Sequence, residues 1–394
     1  MAVKILIVDD TLVNRKVLQG ILRKEPDVEF ATAANGEQAI ETARRLHPDL
    51  VLLDIMMPIK DGYQVCAELK ADPRTADIPI VFLSALNSAA DKIKGFEIGG
   101  ADYITKPFDN GEVLARVRTQ LRLRRLSESL LAANRQLLEE QQRLKADLRA
   151  AAEIQRALIP RPQLRVPGIR TAWVFEPCAT VGGDIFNVRP LDDEHVSFYV
   201  LDVNGHGVPA AMVSVSASQS LAPGSGLVVQ RHAGGRPTIT APVDVLAELD
   251  REYPIGRFDH YFTISYLVLH LPTGLLRYST AAHPLPVLMG PGGALRLLEE
   301  GGPVIGLGDM IFDAGQVALA VGDRVFLYTD GIVEHSEPDG PQFGTEALYA
   351  ALRRTREQPL EDACEAIRAE VHAFAAAAPA DDISLLAFEY VGLP

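Results

Sequence analysis

The sequence is poor in cysteine, in long apolar runs and in positive charge. Its three cysteines, Cys66, Cys178 and Cys364, are scattered and odd in number. They supply neither a disulfide framework nor zinc-ligand spacing, and they fit a reducing compartment. No apolar run approaches the ~18 residues of a membrane span, and the N-terminus lacks a signal-peptide pattern. These two absences predict a cytoplasmic protein without a membrane partner. Lys and Arg number 38 against 52 Asp and Glu, a formal net charge of −14, which argues against nucleic acid as a partner. The local basic cluster at 116–125 does not change this, because helical spacing would spread it around an axis. Proline is absent between Pro107 and Pro160, and Gly111 is the only glycine in that interval.

That interval predicts one long helix, Asn110 to Leu158, made largely of Leu, Ala, Arg, Glu and Gln, all strong helix formers. Leu123, Leu130, Leu137 and Leu144 recur every seven residues, with Ala151 next, which is one seam of a heptad pattern. The second seam is more polar: Ser127, Asn134 and Gln141 precede Leu148, and polar seam residues weaken pairing but can fix register. At ~1.5 Å per residue the helix would span roughly 70 Å, too long for half of a compact domain. It reads as a dimerising coiled-coil linker, with a solvated spacer as the plainer alternative. A chain of 394 residues has room for roughly two to three domains.

Before the helix, short apolar runs alternate with helical patterns. Lys4–Val8 ends in Asp9 and Asp10, Leu50–Leu53 ends in Asp54, Ile80–Leu83 ends in Ser84, and Tyr103–Ile104 leads to Lys106. Continuous apolar strands of this kind predict a doubly wound parallel sheet covered on both faces. Ligands bind beyond the carboxyl ends of such strands, which would gather Asp9, Asp10, Asp54, Ser84 and Lys106. Adjacent carboxylates call for a divalent cation, and oxygen ligands suit Mg²⁺. The cation and an ammonium group could then support phosphoryl transfer onto one carboxylate. Singly, each aspartate could be a turn or helix cap.

The strings VDD (8–10), LLDIMMPIKDG (52–62), FLSA (82–85) and DYITKPF (102–108) make residues 1–120 resemble a CheY-like response-regulator receiver domain. The resemblance implies a five-stranded parallel fold with Asp54 as phosphoacceptor. It also implies Mg²⁺ held by Asp9, Asp10, Asp54 and the Met56 carbonyl, Lys106 on the phosphoryl group, and Ser84 and Tyr103 as switch residues. The implied upstream partner is a histidine kinase or phosphotransfer protein.

After Pro160 the pattern becomes rich in strands: Thr171–Phe175, His195–Leu201, Tyr261–His270, Leu275–Thr280, Pro286–Met289 and Arg324–Tyr328. Helices are expected at Pro209–Leu221, Val243–Glu252, Thr345–Arg356 and Leu360–Ala377, which suggests two packed sheets between helix layers. Asp184 follows a glycine pair, Asp202 ends FYVLD, Asp330 ends FLYTD, and Asp381 and Asp382 precede ISLLAF. Carboxylates meeting at one edge of a sandwich would suit two Mg²⁺ or Mn²⁺ ions. Such a pair can activate hydroxide and neutralise a phosphate. Residues 223–242 are rich in glycine and proline and predict a mobile or partly disordered loop.

AAEIQRALIP, VGGDIFNV, LDVNGHGVPAAM, AAHPLPVL, GGPVIGL, GDRVFLYTDGIVE and DDISLLAF resemble the metal-dependent, PPM-type (protein-phosphatase-2C-like) serine/threonine phosphatases. The nearest branch is that of stage II sporulation protein E and the Rsb-type regulators. The resemblance implies an α-β-β-α sandwich. Asp202 would bridge two metals, with Asp184 and the Val203 carbonyl serving one ion and Asp330 and Asp381 the other. Two departures stand out: Asn187 replaces a further family Asp, and Ala282–His283 replaces Gly-His. His206 is a candidate proton donor or a structural residue, and His283 is expected to be structural.

The expected division is a receiver at 1–120, a coiled-coil linker at 121–158 and a phosphatase at 159–394. The expected activity is receiver-controlled hydrolysis of phosphoserine or phosphothreonine on a partner protein, which family resemblance suggests is an anti-sigma-factor antagonist. A homodimer through the helix is expected. One alternative is a catalytically weak phosphatase fold that acts by binding its partner. The receiver–helix–GGD layout also resembles diguanylate cyclases, but Ile185 stands where they carry a second acid.

Overall fold

In the computed structural model the apolar runs become strands with both faces covered. The structure describes all residues except 1, 26, 86–88, 161–164, 179–180, 206, 231–236 and 394. The chain divides into two compact units, Met1–Gln141 and Gln142–Pro394.

The first unit runs β1 (Val3–Val8), α1 (Leu12–Leu22), β2 (Val28–Ala33), α2 (Gly36–Leu46), β3 (Leu50–Asp54), α3 (Gly62–Ala71), β4 (Ile80–Ser84), α4 (Ala89–Glu97) and β5 (Asp102–Thr105). All strand pairs are parallel, in the order β2-β1-β3-β4-β5. Alternate residues face opposite sides: Leu6, Val8, Leu53 and Phe82 pack with Ala39, Ile40 and Val65. Ile5, Ile7, Leu52 and Leu83 pack with Leu18, Leu22, Val113 and Val117 on the other side. Because neither face meets water, these strands read as unbroken apolar runs.

Helix α5 spans Asn110–Leu158, 49 residues. Its first turns bury Val113 and Val117 in the first unit, and its last turns bury Ala152 and Gln155 in the second. Between them every residue from 125 to 147 is exposed, including Leu130, Leu137 and Leu144. Among the described residues no helix is long and apolar enough to cross a membrane.

The second unit continues with β6 (Ile169–Glu176), β7 (Ile185–Pro190), β8 (His195–Val203), α6 (Val208–Ser220), β9 (Val229–Gln230), β10 (Thr238–Ile239), α7 (Pro242–Glu252), α8 (Ile255–Phe258), β11 (Phe262–His270) and β12 (Leu275–Ala281). Then come β13 (Val287–Met289), β14 (Leu295–Leu297), β15 (Gly301–Gly302), β16 (Gly315–Ala318), β17 (Arg324–Tyr328), α9 (Asp330–Val333), α10 (Thr345–Arg354), α11 (Leu360–Phe374) and β18 (Ile383–Tyr390). One sheet has the order β15-β12-β11-β8-β7 with β16 on β12, and the other β14-β13-β17-β18-β6.

Between the sheets lie Phe186, Phe198, Val200, Leu327, Leu386 and Phe388, with Phe198 stacked on Phe388 at 3.8 Å. Tyr199, Leu201 and Val203 face α6 and α7, while Phe326, Tyr328 and Leu385 face α10 and α11. The result is an α-β-β-α sandwich. Within 223–242, where sequence composition predicts disorder, β9 and β10 pair at Gln230–Thr238 and Val229–Ile239. The expected mobile or partly disordered loop includes this short pairing, and its residues 231–236 lie outside the described residues.

Candidate active and phosphoacceptor sites

The parity of the strands decides which polar side chains meet. In β8 the residues Val196, Phe198 and Val200 point between the sheets, so Asp202, two further on, shares their side. The same count from Phe186 places Asp184 there, and from Leu386 and Phe388 it places Ser384 and Asp382 there. Antiparallel pairing of β7 with β8 and of β17 with β18 puts these residues at one end of the sandwich.

The two sheets are tied there by hydrogen bonds. Asp184 N–H donates to Asp382 Oδ2 at 3.1 Å, and Cys178 N–H donates to Asp382 Oδ1 at 2.8 Å. Asp184 Oδ2 accepts from Thr329 Oγ1 at 2.8 Å and Ser384 Oγ at 2.6 Å. The glycine before the GGD aspartate pair of contacts is required by space: a Cβ on Gly182 would lie 2.0 Å from Asp382 Oδ2.

Crowded carboxylates raise one another's proton affinity. Burial, then Asp330 and Asp381, push the Asp202 carboxyl up to about 7. Burial, then Asp202 and Asp382, hold Asp184 well above the ordinary value, against the two hydroxyl donors. Asp330 is raised by burial and by Asp381. The chemistry of this donor set, oxygen ligands with excess negative charge, fits divalent cations. Among the described residues, the groups of three or more ligand atoms within 4.8 Å of one another are Asp9/Asp10/Asp54 and Cys178/Asp381/Asp382. Asp184, Asp202 and Asp330 stand outside any such single-ion cage. Cys178 is pushed up to about 12 by burial and by Asp382, so its thiol stays protonated.

The last turn of α5 reaches this end of the sandwich. Gln155 Nε2 donates to the carbonyls of Gly182 at 2.8 Å and Asp184 at 3.3 Å, and Gln155 Oε1 accepts from Gly182 N–H at 3.3 Å. Asn187 Nδ2 donates to the Leu158 carbonyl at 2.5 Å, capping the helix end, which an Asp could not do because a carboxylate has no donor. His283 is buried, 2.8 Å from Thr263 Oγ1, and burial pushes it down to about 3, so the ring is neutral. His206 lies outside the described residues. Asp382, Thr329, Ser384 and Gln155 are contacts that sequence reading did not assign to the site.

In the first unit, Lys106 Nζ lies 2.9 Å from Asp9 Oδ2 and 2.8 Å from Asp54 Oδ2. Asp9 is fully buried and also accepts from Asn14 Nδ2 at 3.0 Å and Thr11 N–H at 2.9 Å. Asp10 is exposed. Met56 N–H is 3.4 Å from Asp54 Oδ1. Burial raises the Asp54 carboxyl, Lys106 opposes that, and Asp9 adds to it. Ser84 is buried at the end of β4. Tyr103 is buried too, with Phe82 and Phe96 each 5.2 Å from its ring.

Residues 5–118 match the response regulator receiver domain family. Residues 192–391, half of the chain, match the family Stage II sporulation protein E (SpoIIE). The chain belongs to the SpoIIE family. Its receiver makes it a response-regulator-linked member, a receiver joined to a SpoIIE/PP2C-type phosphatase domain. The SiaA-PP2C domain of Pseudomonas aeruginosa resembles this SpoIIE-family chain with a TM-score of 0.54 and 25% identity, over 64% of this chain and 98% of that one. Response regulator PleD of Caulobacter vibrioides is 42% identical over 130 residues, 33% of this chain and 28% of that protein. The DNA-binding dual master transcriptional regulator RpaA of Synechocystis sp. is 47% identical over 120 residues, 30% of this chain and 49% of that protein. The chain thus spans between about a quarter and a half of the length of these curated relatives. The SpoIIE match removes the cyclase alternative: Ile185, after VGGD, begins β7 and is buried against Tyr199 and Leu201.

Proposed function

We propose that phosphorylation of Asp54 controls a metal-dependent phosphatase that hydrolyses phosphoserine or phosphothreonine on a partner protein. The observation that carries the catalytic half is the gathering of aspartates from both sheets at one end of the sandwich, where Asp184 N–H donates to Asp382 Oδ2 at 3.1 Å and Asp184 Oδ2 accepts from Thr329 Oγ1 at 2.8 Å and Ser384 Oγ at 2.6 Å. In this reading Asp202 is shared by two Mn²⁺ or Mg²⁺ ions, Asp184 and the Val203 carbonyl serve one, and Asp330 and Asp381 the other. Bound there, the ions supply an activated water and neutralise the phosphoryl group. Thr329 and Ser384 fix the Asp184 carboxylate through its Oδ2, which leaves its other oxygen available. Four aspartates spread wider than a one-ion cage suit two ions.

In the receiver, Asp9, Asp10, Asp54 and the Met56 carbonyl would hold Mg²⁺, with Lys106 Nζ placed to contact a phosphoryl oxygen on Asp54. Ser84 and Tyr103 would read out the modification. The donor is a histidine kinase or phosphotransfer protein. The functional division we assign is receiver 1–120, linker 121–158 and phosphatase 159–394, in a cytoplasmic protein. Sequence similarity to the Rsb-type branch supports an anti-sigma-factor antagonist as substrate.

Manganese-dependent hydrolysis of an aryl phosphate, then of a phosphorylated antagonist protein, tests the reading. Tight binding of the antagonist without turnover would favour a phosphatase-fold scaffold instead. Asp54→Ala should block receiver phosphorylation yet keep basal aryl phosphate turnover within about twofold, since no catalytic ligand is lost. A folded but wholly inactive Asp54→Ala protein would refute the division of labour.

The exposed leucine seam of α5 supports a parallel homodimer, with Asn134 setting register. Leu137→Asp should convert a dimer to a monomer in sedimentation, because it places a charge in the paired seam. A wild-type mass equal to one chain would remove the dimer from the account.

A further inference from the structure

We propose a Zn²⁺ site in the phosphatase unit, built on two histidines at the opposite end of β8 from Asp202. His195 begins β8 and His270 ends β11, and the two residues are directly paired across the strands. Residues paired in this way present their side chains on one face of the sheet, and the imidazole rings lie 4.8 Å apart, tilted by 38°. His195 and Asp202 are seven positions apart in β8, about 23 Å of strand, so this place is distinct from the aspartates. The flanking turns are fastened to each other, because Leu271 N–H donates to the Glu194 carbonyl at 2.8 Å. That bond brings the Glu194 side chain beside His270.

In each ring Nδ1 is oriented by a polar neighbour. His195 Nδ1 is 3.0 Å from Asp192 Oδ1, and His270 Nδ1 is 2.7 Å from Thr273 Oγ1. Both oxygens can accept from a protonated Nδ1, which leaves a lone pair on Nε2. A hydrogen-bond acceptor behind one imidazole nitrogen is how proteins orient the other onto a metal. Glu194 Oε2 lies 3.6 Å from His270 Nε2, too long for a hydrogen bond. It is close to the ~3.4 Å that separates two ligands of a tetrahedral ion with bonds of about 2.0–2.1 Å.

With neutral imidazoles, Asp192 and Glu194 outweigh the guanidinium of exposed Arg277 at the cavity wall, so the charge favours a cation. The pair of nitrogens favours Zn²⁺ over the Mg²⁺ or Mn²⁺ that oxygen ligands suit. Among the described residues His195, His270 and Glu194 do not form a group with all ligand atoms within 4.8 Å. The Glu194 side chain is 63% exposed and can rotate inward, so both Nε2 atoms and this carboxylate would hold the ion, with water as a further ligand. A cavity of about 220 Å³, lined by both histidines, gives the ion access.

The probe is Zn²⁺, titrated by calorimetry into the full chain at about pH 7.5, above the ordinary histidine value, with excess Mg²⁺ present. The readout is the number of Zn²⁺ equivalents bound, compared between proteins. Wild type should bind one equivalent more than the double variant His195→Gln/His270→Gln. Asp192→Asn should weaken that equivalent by about tenfold or more, because the amide no longer orients the imidazole as the carboxylate does. His372→Gln, whose histidine lies 2.6 Å from Glu176 elsewhere in the unit, should keep it. Cu²⁺ bound to the wild-type chain should show coupling to two imidazole nitrogens in its electron paramagnetic resonance spectrum, a signature that oxygen ligands do not give. Equal Zn²⁺ stoichiometry in wild type and the double variant, or a Cu²⁺ spectrum without two-nitrogen coupling, would each overturn the proposal. None of these readouts depends on phosphatase turnover.

Discussion

Asp202→Asn should abolish phosphatase turnover, by at least about 1,000-fold, while making the metal-free protein more stable. Asparagine keeps the shape of the side chain but cannot share an anionic oxygen between two ions. The stability gain comes from electrostatics: Asp202 is raised to about 7 by burial and by Asp330 and Asp381. The folded chain therefore binds the Asp202 proton more tightly than the unfolded chain does. From the ordinary carboxyl value up to about pH 7 the folded state holds more protons, so stability falls as pH rises through that window. The amide has no such loss. Thermal unfolding of both proteins across this range, with chelator and then with Mn²⁺, checks both halves. Mn²⁺ should raise the wild-type midpoint more than that of the variant. A variant with near-wild-type turnover in excess Mn²⁺ would sink the two-metal assignment.

Gln155→Leu should lower turnover by about 100-fold and destabilise the second unit by several kcal/mol. The substitution keeps a similar volume and removes every hydrogen bond between this side chain and the Gly182–Asp184 backbone. Gly182 N–H and two carbonyls would lose buried partners, each costing about 1–3 kcal/mol. Asp184 would then be held only by its side-chain contacts and by Asp382. The diagnostic sign is a raised Mn²⁺ requirement, because a displaced Asp184 weakens one metal site before it disturbs the fold. Unchanged Mn²⁺ dependence together with unchanged turnover would show that the helix end does not position the site.

The sequence made some of this legible and hid the rest for physical reasons. Strands covered on both faces are unbroken apolar runs, so β1, β3, β4 and β8 stand out. The absence of proline and glycine exposed α5 over its full length. Strand β7 did not stand out, because IFNVRP mixes buried apolar residues with Asn187, Arg189 and Pro190. Asp382, Thr329 and Ser384 join Asp184 through strand parity and pairing between segments 145 to 200 residues apart. No local pattern carries that information. Asn187, a departure from the family pattern when read in sequence, is occupied in capping α5.

Control of Asp202 by Asp54 requires α5 to act as a continuous element. Rigid helix can transmit a change in pairing or rotation, and glycine interrupts it. The most direct measurement is Mn²⁺-dependent turnover with and without beryllofluoride, a phosphoryl mimic on Asp54, in two proteins. One is wild type and the other carries two glycines inserted after Ala150. The account predicts a change in rate on adding the mimic in wild type, and no change in the insertion variant, whose basal rate persists. An identical response in both proteins would make α5 a passive spacer and contradict the account.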